Sequence, residues 1–570
     1  MNAERAARSM LALALAGAVA LLAAGAAAGS GPAGGWVGYR GDGSGVFANS
    51  HPPVDCDMKT GRNILWRAPM PNWGSSSPVV AAGRVFALSE PGWKSDWPVL
   101  TCIDAASGKV LWERQVNHLP ATGLDAARQG EIAKQWHEFH ALWRELYKTF
   151  NLAVVQKKAD EADRRFDALG YVFGGHRGGG YGQLRSLKAK SGNPFDARRF
   201  VVSEAGIHGE TWHHGCGLGT DCIGMAFATP VSDGRFVYVT TAFSGAACYD
   251  LDGNLRWLAF VPTSGRTEAY ARSPLLYRDL LVSDYFGKVV AFDKATGEVR
   301  WTVESSAGSI ATPAVIRVGA TDILLSEGKT GAGGVGVHAI RLSDGKRLPV
   351  EGWAIGGTQI LADTDRRDVA YFCGRGQHSF WPETEQAPKP PVAVRFALQG
   401  DSLKAKVLWD GRDFCGAGGF VGMLYHAGKL YCSTESTAVV IDTAGPFAGK
   451  VVAGSMDRRG GGNQAKRPLP ATRHLLLLAG DRFYGLYGSH RTCDGRFDTF
   501  ATLGCYNKEG KLLGQSRLYA AEVTGEKLEQ VRSAVGWDRW PFSYGLPFTI
   551  GGDRIYVRSF DEIICIGERR

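Results

Sequence analysis

The stretch RSPLLYRDLLVSDYFGKVVAFDKATGEVRWTVE, residues 272–304, decides the fold. After Ser273-Pro274 it holds an apolar run at 275–277, a polar corner Arg278-Asp279 and a second apolar run at 280–282. A turn at 284–287 follows, then a third run at 288–292, a tight turn from Asp293 to Gly297, and a last strand that reaches Trp301. Short runs rich in β-branched and aromatic residues, bounded by turn formers, read as four antiparallel strands. One such sheet cannot bury both of its faces, so it requires neighbours of its own kind.

The chain supplies them. The pattern Asp293, Thr296-Gly297, Trp301 recurs as Asp104, Ser107-Gly108, Trp112 and as Asp250, Gly253, Trp257. Gly suits the left-handed turn position, the Asp carboxylate can accept turn N–H groups, and the Trp can seal the groove between sheets. Weaker copies follow at 342–348, 406–409 (with Trp409) and 506–513. The second strand, a polar corner followed by alternating apolar residues, occurs at 83–87, 234–239, 278–282, 321–325, 367–372, 428–431, 480–484 and 552–557. The first strand is announced by Ser77-Pro78, Thr229-Pro230, Ser273-Pro274 and Thr312-Pro313, since Pro fits where no ladder donor is missed.

The two ends complement each other. The C-terminus offers three strands with no fourth, and Gly61 with Ile64-Leu65-Trp66 offers a fourth with no first three. The expectation is therefore an all-β, eight-bladed β-propeller closed by its N-terminal strand, which leaves no open sheet edge at the joint. Seven blades is the alternative if residues 365–410 do not form one.

The domain plan is a signal peptide at 1–28, an N-terminal extension at 29–60 and the propeller at 61–570. Arg5 and Arg8 precede the apolar run 10–24, and Ala26-Ala27-Ala28 offers a cleavage site. The expected location is periplasmic or secreted, with no transmembrane span. An insertion at 118–226 divides into a helical hairpin at 124–169 and a Gly- and His-rich loop at 170–226. Ile132, Trp136, Phe139, Trp143, Leu146 and Phe150 step by three and four, as do Val155, Ala159, Ala162, Phe166 and Leu169. Each helix thus has one apolar face, expected to pack on the other and on the propeller.

A formal net charge of +9 over 570 residues is weak and gives no reason to expect nucleic acid as a partner. Of eleven cysteines, Cys102, Cys248, Cys505 and Cys565 recur at one repeat position and read as small buried hydrophobes. Cys216 and Cys222 could form a disulfide in an oxidising compartment, and the odd total leaves a thiol over.

The Asp-x-x-Thr/Ser-Gly-x-x-x-Trp repeat, the opening WVGYRGDGSGV at 36–46 and the segment 229–257 resemble the pyrroloquinoline-quinone-like propeller repeat of exported bacterial proteins. That fold serves quinoprotein dehydrogenases and also non-enzymatic scaffolds, such as the propeller lipoprotein of the outer-membrane barrel-assembly machinery. Methanol-type quinoproteins carry adjacent cysteines over the quinone and a Glu/Asn/Asp set for Ca²⁺. No two cysteines are adjacent here, and Glu204, Glu210, Asp221, Glu268 and Asp413 show no cage spacing. The expectation is a protein without a cofactor. Pyrroloquinoline quinone with Ca²⁺, in an oxidoreductase with an atypical site, is the alternative.

Two site readings remain. Loops before the first strands should form one mouth of the channel, holding Trp73, Ser75, Ser76, Met225, Phe227, Arg266, Glu268, Tyr270, Arg272 and Ser309. Of these, Trp73, Ser75, Ser76, Arg266, Glu268, Tyr270 and Arg272 are the ligand-binding candidates. His208, His213 and His214, near Cys216, Asp221 and Cys222, are the metal candidates, although no ligand spacing organises them. No catalytic residue can be named. The leading function is a binding or scaffold module at the cell envelope for a protein, peptide or polysaccharide.

Overall fold

The computed structural model describes residues 37–72, 74, 76–91, 95–156, 171–172, 188–189, 201–208, 226, 228–262, 273–285, 287–304, 312–329, 335–352, 359–373, 391–411, 422–433, 437–456, 476–488, 501–508, 511–518, 548–558 and 562–569. Eight sheets follow one another along the chain, and each is an antiparallel meander. Blade 1 is Val79–Ala81, Arg84–Ser89, Val99–Asp104 and Val110–Gln115. Blade 2 begins at Val231–Ser232, blade 3 at Leu275–Tyr277 and blade 4 at Ala314–Val318. Blade 5 begins at Gln359–Ala362, blade 6 at Gly422–His426, blade 7 at Leu476–Ala479 and blade 8 at Phe548–Gly551. The segment 365–410 is therefore a blade, and its outermost strand Ser402–Asp410 takes Val350–Glu351 as a parallel addition.

The core proves the ring. Among the described residues it divides into eight clusters, each shared by two successive blades, the pairs seven–eight and eight–one included. Closure is made as expected: Ile64–Pro69 lies antiparallel to Glu562–Ile566, with Trp66 opposite Cys565. Arg67 bridges to Glu562 with two hydrogen bonds at 2.8 and 2.5 Å.

The repeat residues work between blades. Trp66, Trp112, Trp257, Trp301 and Trp409 lean onto Gly108, Gly253, Gly297, Gly345 and Gly449 of the next blade. A β-carbon at Gly108 would come within 2.6 Å of the Trp66 ring, so the glycine makes room as well as the turn. Four of the indoles donate to a turn carbonyl: Trp66 to Ala105, Trp112 to Leu251, Trp257 to Lys294 and Trp409 to Thr443, at 2.9–3.1 Å. The turn carboxylates behave as expected, Asp104 accepting from Ser107, Asp250 from Asp252 and Asn254, and Asp293 from Ala295 and Thr296. Cys102, Cys248, Cys505 and Cys565 are buried free thiols opposite the Trp position.

Residues 37–60 are woven into the ring. Val37 pairs with Ser232 at the end of the innermost strand of blade 2, and Val46–Phe47 runs parallel to the innermost strand of blade 7. Between these points the chain crosses the channel. It then passes beneath blades 7 and 8, where Tyr484 Oη donates to Pro52 O at 2.7 Å and Cys56 N to Ser516 Oγ at 2.6 Å. Asp57 to Gly61 repeats the blade turn: Gly61 N donates to Asp57 O, and Lys59 and Thr60 donate to Asp57 Oδ1.

In the insertion one helix, α1 (Ala126–Gln156), is described. The second half of the expected hairpin lies outside the described residues. No helix among the described residues is long and apolar enough to cross a membrane.

Candidate functional site at the channel mouth

The strand order fixes two ends of the channel. One end, the floor, is where the innermost strands run into the second strands, and residues 37–47 cross it. Arg40 is buried there, with φ +56°, and donates to Ser44 O at 3.3 Å. Loss of water pushes its guanidinium pKa down, and Tyr39 and Asp42 oppose that shift. The other end, the mouth, holds the starts of the innermost strands and the ends of the second strands. The insertion leaves and re-enters the ring there, between Val110–Gln115 and Val231–Ser232.

Several polar groups of the mouth bind one another across blades. Ser77 N donates to Thr229 Oγ1 at 3.2 Å, and Thr229 N donates to Ser273 Oγ at 3.0 Å. The hydroxyls of Thr229 and Ser273, each before a Pro, thus receive the N–H of the blade before. Between blades 8 and 1, the fully buried Arg558 donates from Nη2 to Asn72 O at 2.5 Å and to Ser89 Oγ at 2.9 Å. Asn72 donates to the carbonyls of Glu90 and Pro91, and Glu90 Oε1 accepts Ala226 N–H at 2.7 Å. Ser326 Oγ donates to the buried Asp284 carboxylate, and Tyr285 Oη donates to Gly245 O at 3.1 Å. Burial raises the Tyr285 phenol, so it stays a neutral donor.

An aromatic joint fastens the insertion to this end. Ile132, Trp136 and Phe139 of α1 are buried, and Trp136 Nε1 donates to Asp96 O at 2.7 Å. Trp97 and Phe243, from the mouth loops of blades 1 and 2, meet Trp136 at 5.9 and 5.7 Å between ring centroids. His118 lies stacked between Phe243 and Phe260 at 5.0 and 5.3 Å, with Nε2 at 2.7 Å from Ala205 O. Burial pushes its pKa down to about 4, so the imidazole is neutral and Nε2 donates.

Of the seven ligand-binding candidates, Ser76 is described. It is buried and donates to Leu88 O at 3.2 Å, which makes it a brace for the strand beside it. Trp73, Ser75, Arg266, Glu268, Tyr270 and Arg272 lie outside the described residues, as do Met225, Phe227 and Ser309. His208 contributes backbone to the short strand Ile207–His208; its side chain, His213 and His214 lie outside them too. Sequence reading passed over Arg558, Asn72, Glu90 and His118. The signal available was Arg558, a charged residue ending the apolar run 555–557.

The described residues do not meet the donor set of a quinone with Ca²⁺. Among them no three His, Cys, Asp or Glu side chains converge on a point where a cation could sit. No chemical step is therefore derived through that group.

The comparisons agree with the repeat. Residues 29–135 and 208–351 match the family model described as outer membrane protein assembly factor BamB, of the pyrroloquinoline-quinone repeat type. The chain is a propeller, and the match to that repeat covers these two stretches of it. A curated relative, the serine/threonine-protein kinase AfsK of Streptomyces griseus, is 31% identical over 128 residues, which are 22% of this chain and 16% of that protein. Two solved structures are matched at low identity. BamB from Moraxella catarrhalis is 13% identical with a TM-score of 0.34, over 60% of this chain and 81% of that one. Quinohemoprotein alcohol dehydrogenase from Comamonas testosteroni is 11% identical with a TM-score of 0.41, over 89% and 77%.

Proposed function

We propose that this chain is a binding or scaffold module of the cell envelope, periplasmic or secreted, that takes a protein, peptide or polysaccharide at the mouth of its channel. The observation that carries this reading is the asymmetry of the channel. Residues 37–47 occupy its floor, and the insertion is fastened by the Trp97–Trp136–Phe243 joint to the opposite end. A ligand therefore has one approach, and the largest addition to the ring stands beside it. Several polar groups at that end, among them Thr229, Ser273 and Arg558, already serve neighbouring blades, which suits a rigid frame that presents a surface.

The test separates binding from quinone chemistry. A benzophenone side chain is placed at exposed Glu138 on α1, and in a second sample at exposed Lys346, in the outer turn of blade 4 on the face opposite the insertion. Irradiation in the host envelope should give a discrete adduct from position 138 and none from 346. In parallel the purified protein is mixed with pyrroloquinoline quinone and Ca²⁺. Tight quinone uptake with dye reduction by an alcohol or sugar would overturn the scaffold reading in favour of the oxidoreductase.

A further inference from the structure

We infer that the channel binds an extended polypeptide segment, main chain to main chain, along the inner edge of the innermost strand of blade 4. This rests on the binding reading above and narrows its ligand to one class.

The chain's own N-terminal segment is already held in the channel in this manner. Leu478 N donates to Gly45 O at 2.9 Å and Gly480 N to Phe47 O at 3.0 Å, so the inner edge of blade 7 carries a parallel strand. On blade 2, Val37 and Ser232 exchange two bonds of 2.8 Å in the antiparallel sense. Inner edges of this ring thus accept strands in either direction. At its floor the channel admits a chain that folds back, since Gly38 and Gly41 close a turn there.

Blade 4 offers the same edge nearer the mouth. In Ala314–Val318, Arg317 sends its N–H out of the sheet to Arg367 O at 2.8 Å. Arg317 faces Asp322 across the ladder, and Val315, two residues back, faces Leu324. Residues two apart share an orientation, so Val315 also turns its N–H and C=O away from the sheet, to the inner side. Pro313 has the same parity, which is why it costs the ladder no donor.

Exposure separates the two blades. Leu476–Ala479 of blade 7 is buried throughout, whereas Thr312, Pro313, Ala314 and Val315 of blade 4 are each only part-buried. What is on offer is a strand edge whose outward groups come from every second residue, about 6.6 Å apart along the chain. A polypeptide matches that alternation by its backbone alone, and a sugar has no fixed sequence of donors and acceptors at this spacing.

The probe is fluorescein-labelled, reduced and carboxymethylated α-lactalbumin, a polypeptide that stays unfolded, followed by anisotropy with the full-length mature protein. Val315→Pro removes the N–H in question and should weaken binding at least tenfold, while Val315→Ile should bind as the parent does. Leu512→Ser, on the exposed outer strand of blade 7, should leave binding unchanged. A benzophenone at Thr312 in the otherwise unaltered chain should crosslink to the probe, which gives a readout that does not depend on how Val315→Pro folds. Unchanged affinity in a folded Val315→Pro protein, or no crosslink from position 312, overturns the inference. Failure of the unfolded probe, with an envelope adduct still formed at position 138, sinks this inference and spares the binding reading. Quinone uptake with dye reduction sinks both.

Discussion

Gly514 lies directly under Val54: a β-carbon on Gly514 would come within 2.5 Å of the Val54 carbonyl oxygen. Gly514 stands opposite Cys505, just before the bulge, where five of the other blades place a tryptophan. Trp112 holds that place opposite Cys102, Trp257 opposite Cys248 and Trp66 opposite Cys565. In blade 7 the N-terminal segment fills the slot instead, with Val54, Cys56 and Met58 packed on the cluster between blades 7 and 8. In blade 7 the space that a tryptophan would take is filled by residues 54–58.

Gly514→Ala should therefore destabilise the protein although the position lies on an outermost strand. The obstructing atoms are backbone, so the segment must shift, at a cost of about 1–3 kcal/mol. Urea unfolding should show a lower midpoint, and hydrogen exchange should rise at residues 54–58. Unchanged exchange there would mean the slot has room to spare.

Trp66 and Trp301 should not be equivalent. Trp66 is buried and its N–H reaches Ala105 O, whereas the Trp301 N–H has no acceptor and its ring is only part-buried. Trp66→Ala opens a cavity at the ring closure and should cost about 3–5 kcal/mol. Trp301→Ala should cost clearly less, as read by paired denaturant melts.

Acid should loosen the insertion joint. Burial holds His118 at about 4 in the folded chain, below its ordinary value of 6.5. Between those values the unfolded chain binds a proton that the folded chain refuses. Stability is thus full above about pH 6.5, falls as pH drops to about 4 and levels off below that, a loss of roughly 3 kcal/mol. His118→Phe should flatten that part of the stability–pH curve. It would also leave Ala205 O without its donor, at a constant cost of about 1–3 kcal/mol. An undiminished acid slope in the variant would assign the effect to other groups.

The repeat thiols should be inert in the native state. Burial raises Cys56, Cys102 and Cys505 to about 11 and Cys248 and Cys565 to about 12. At pH 8 their thiolate fraction is negligible and water does not reach them. Mass spectrometry after brief iodoacetamide treatment should find these five unmodified until denaturant is added. Early labelling of Cys56 would show that residues 48–60 leave the slot.

Reading the chain went furthest where structure is local. Each blade announces itself through contacts within about forty residues: a polar corner, an alternating run, an Asp-to-Gly turn. All eight second strands follow from that grammar, and Trp66 finds Cys565 because one missing strand leaves one vacancy. The mouth was less legible. Ser76 had the look of a ligand group, and its hydroxyl is committed to Leu88 O within its own blade. Arg558 and His118 carried no repeat signature, since each serves a single junction between two particular neighbours.

The sequence by itself determined the repeating unit and the joint that closes the ring, because turns and strand alternation depend on near neighbours and propagate copy by copy. The choice of eight blades over seven came from the structure of the irregular blade that ends in Ser402–Asp410. Only the tertiary structure decided where residues 37–60 go, and with them which end of the channel stays open. Cys56 meets Ser516 across 460 residues of chain, and Val37 meets Ser232 on blade 2 while Val46, nine residues on, meets Leu478 on blade 7. Such meetings depend on a shape that exists only once the ring has closed, so no periodicity along the chain could announce them.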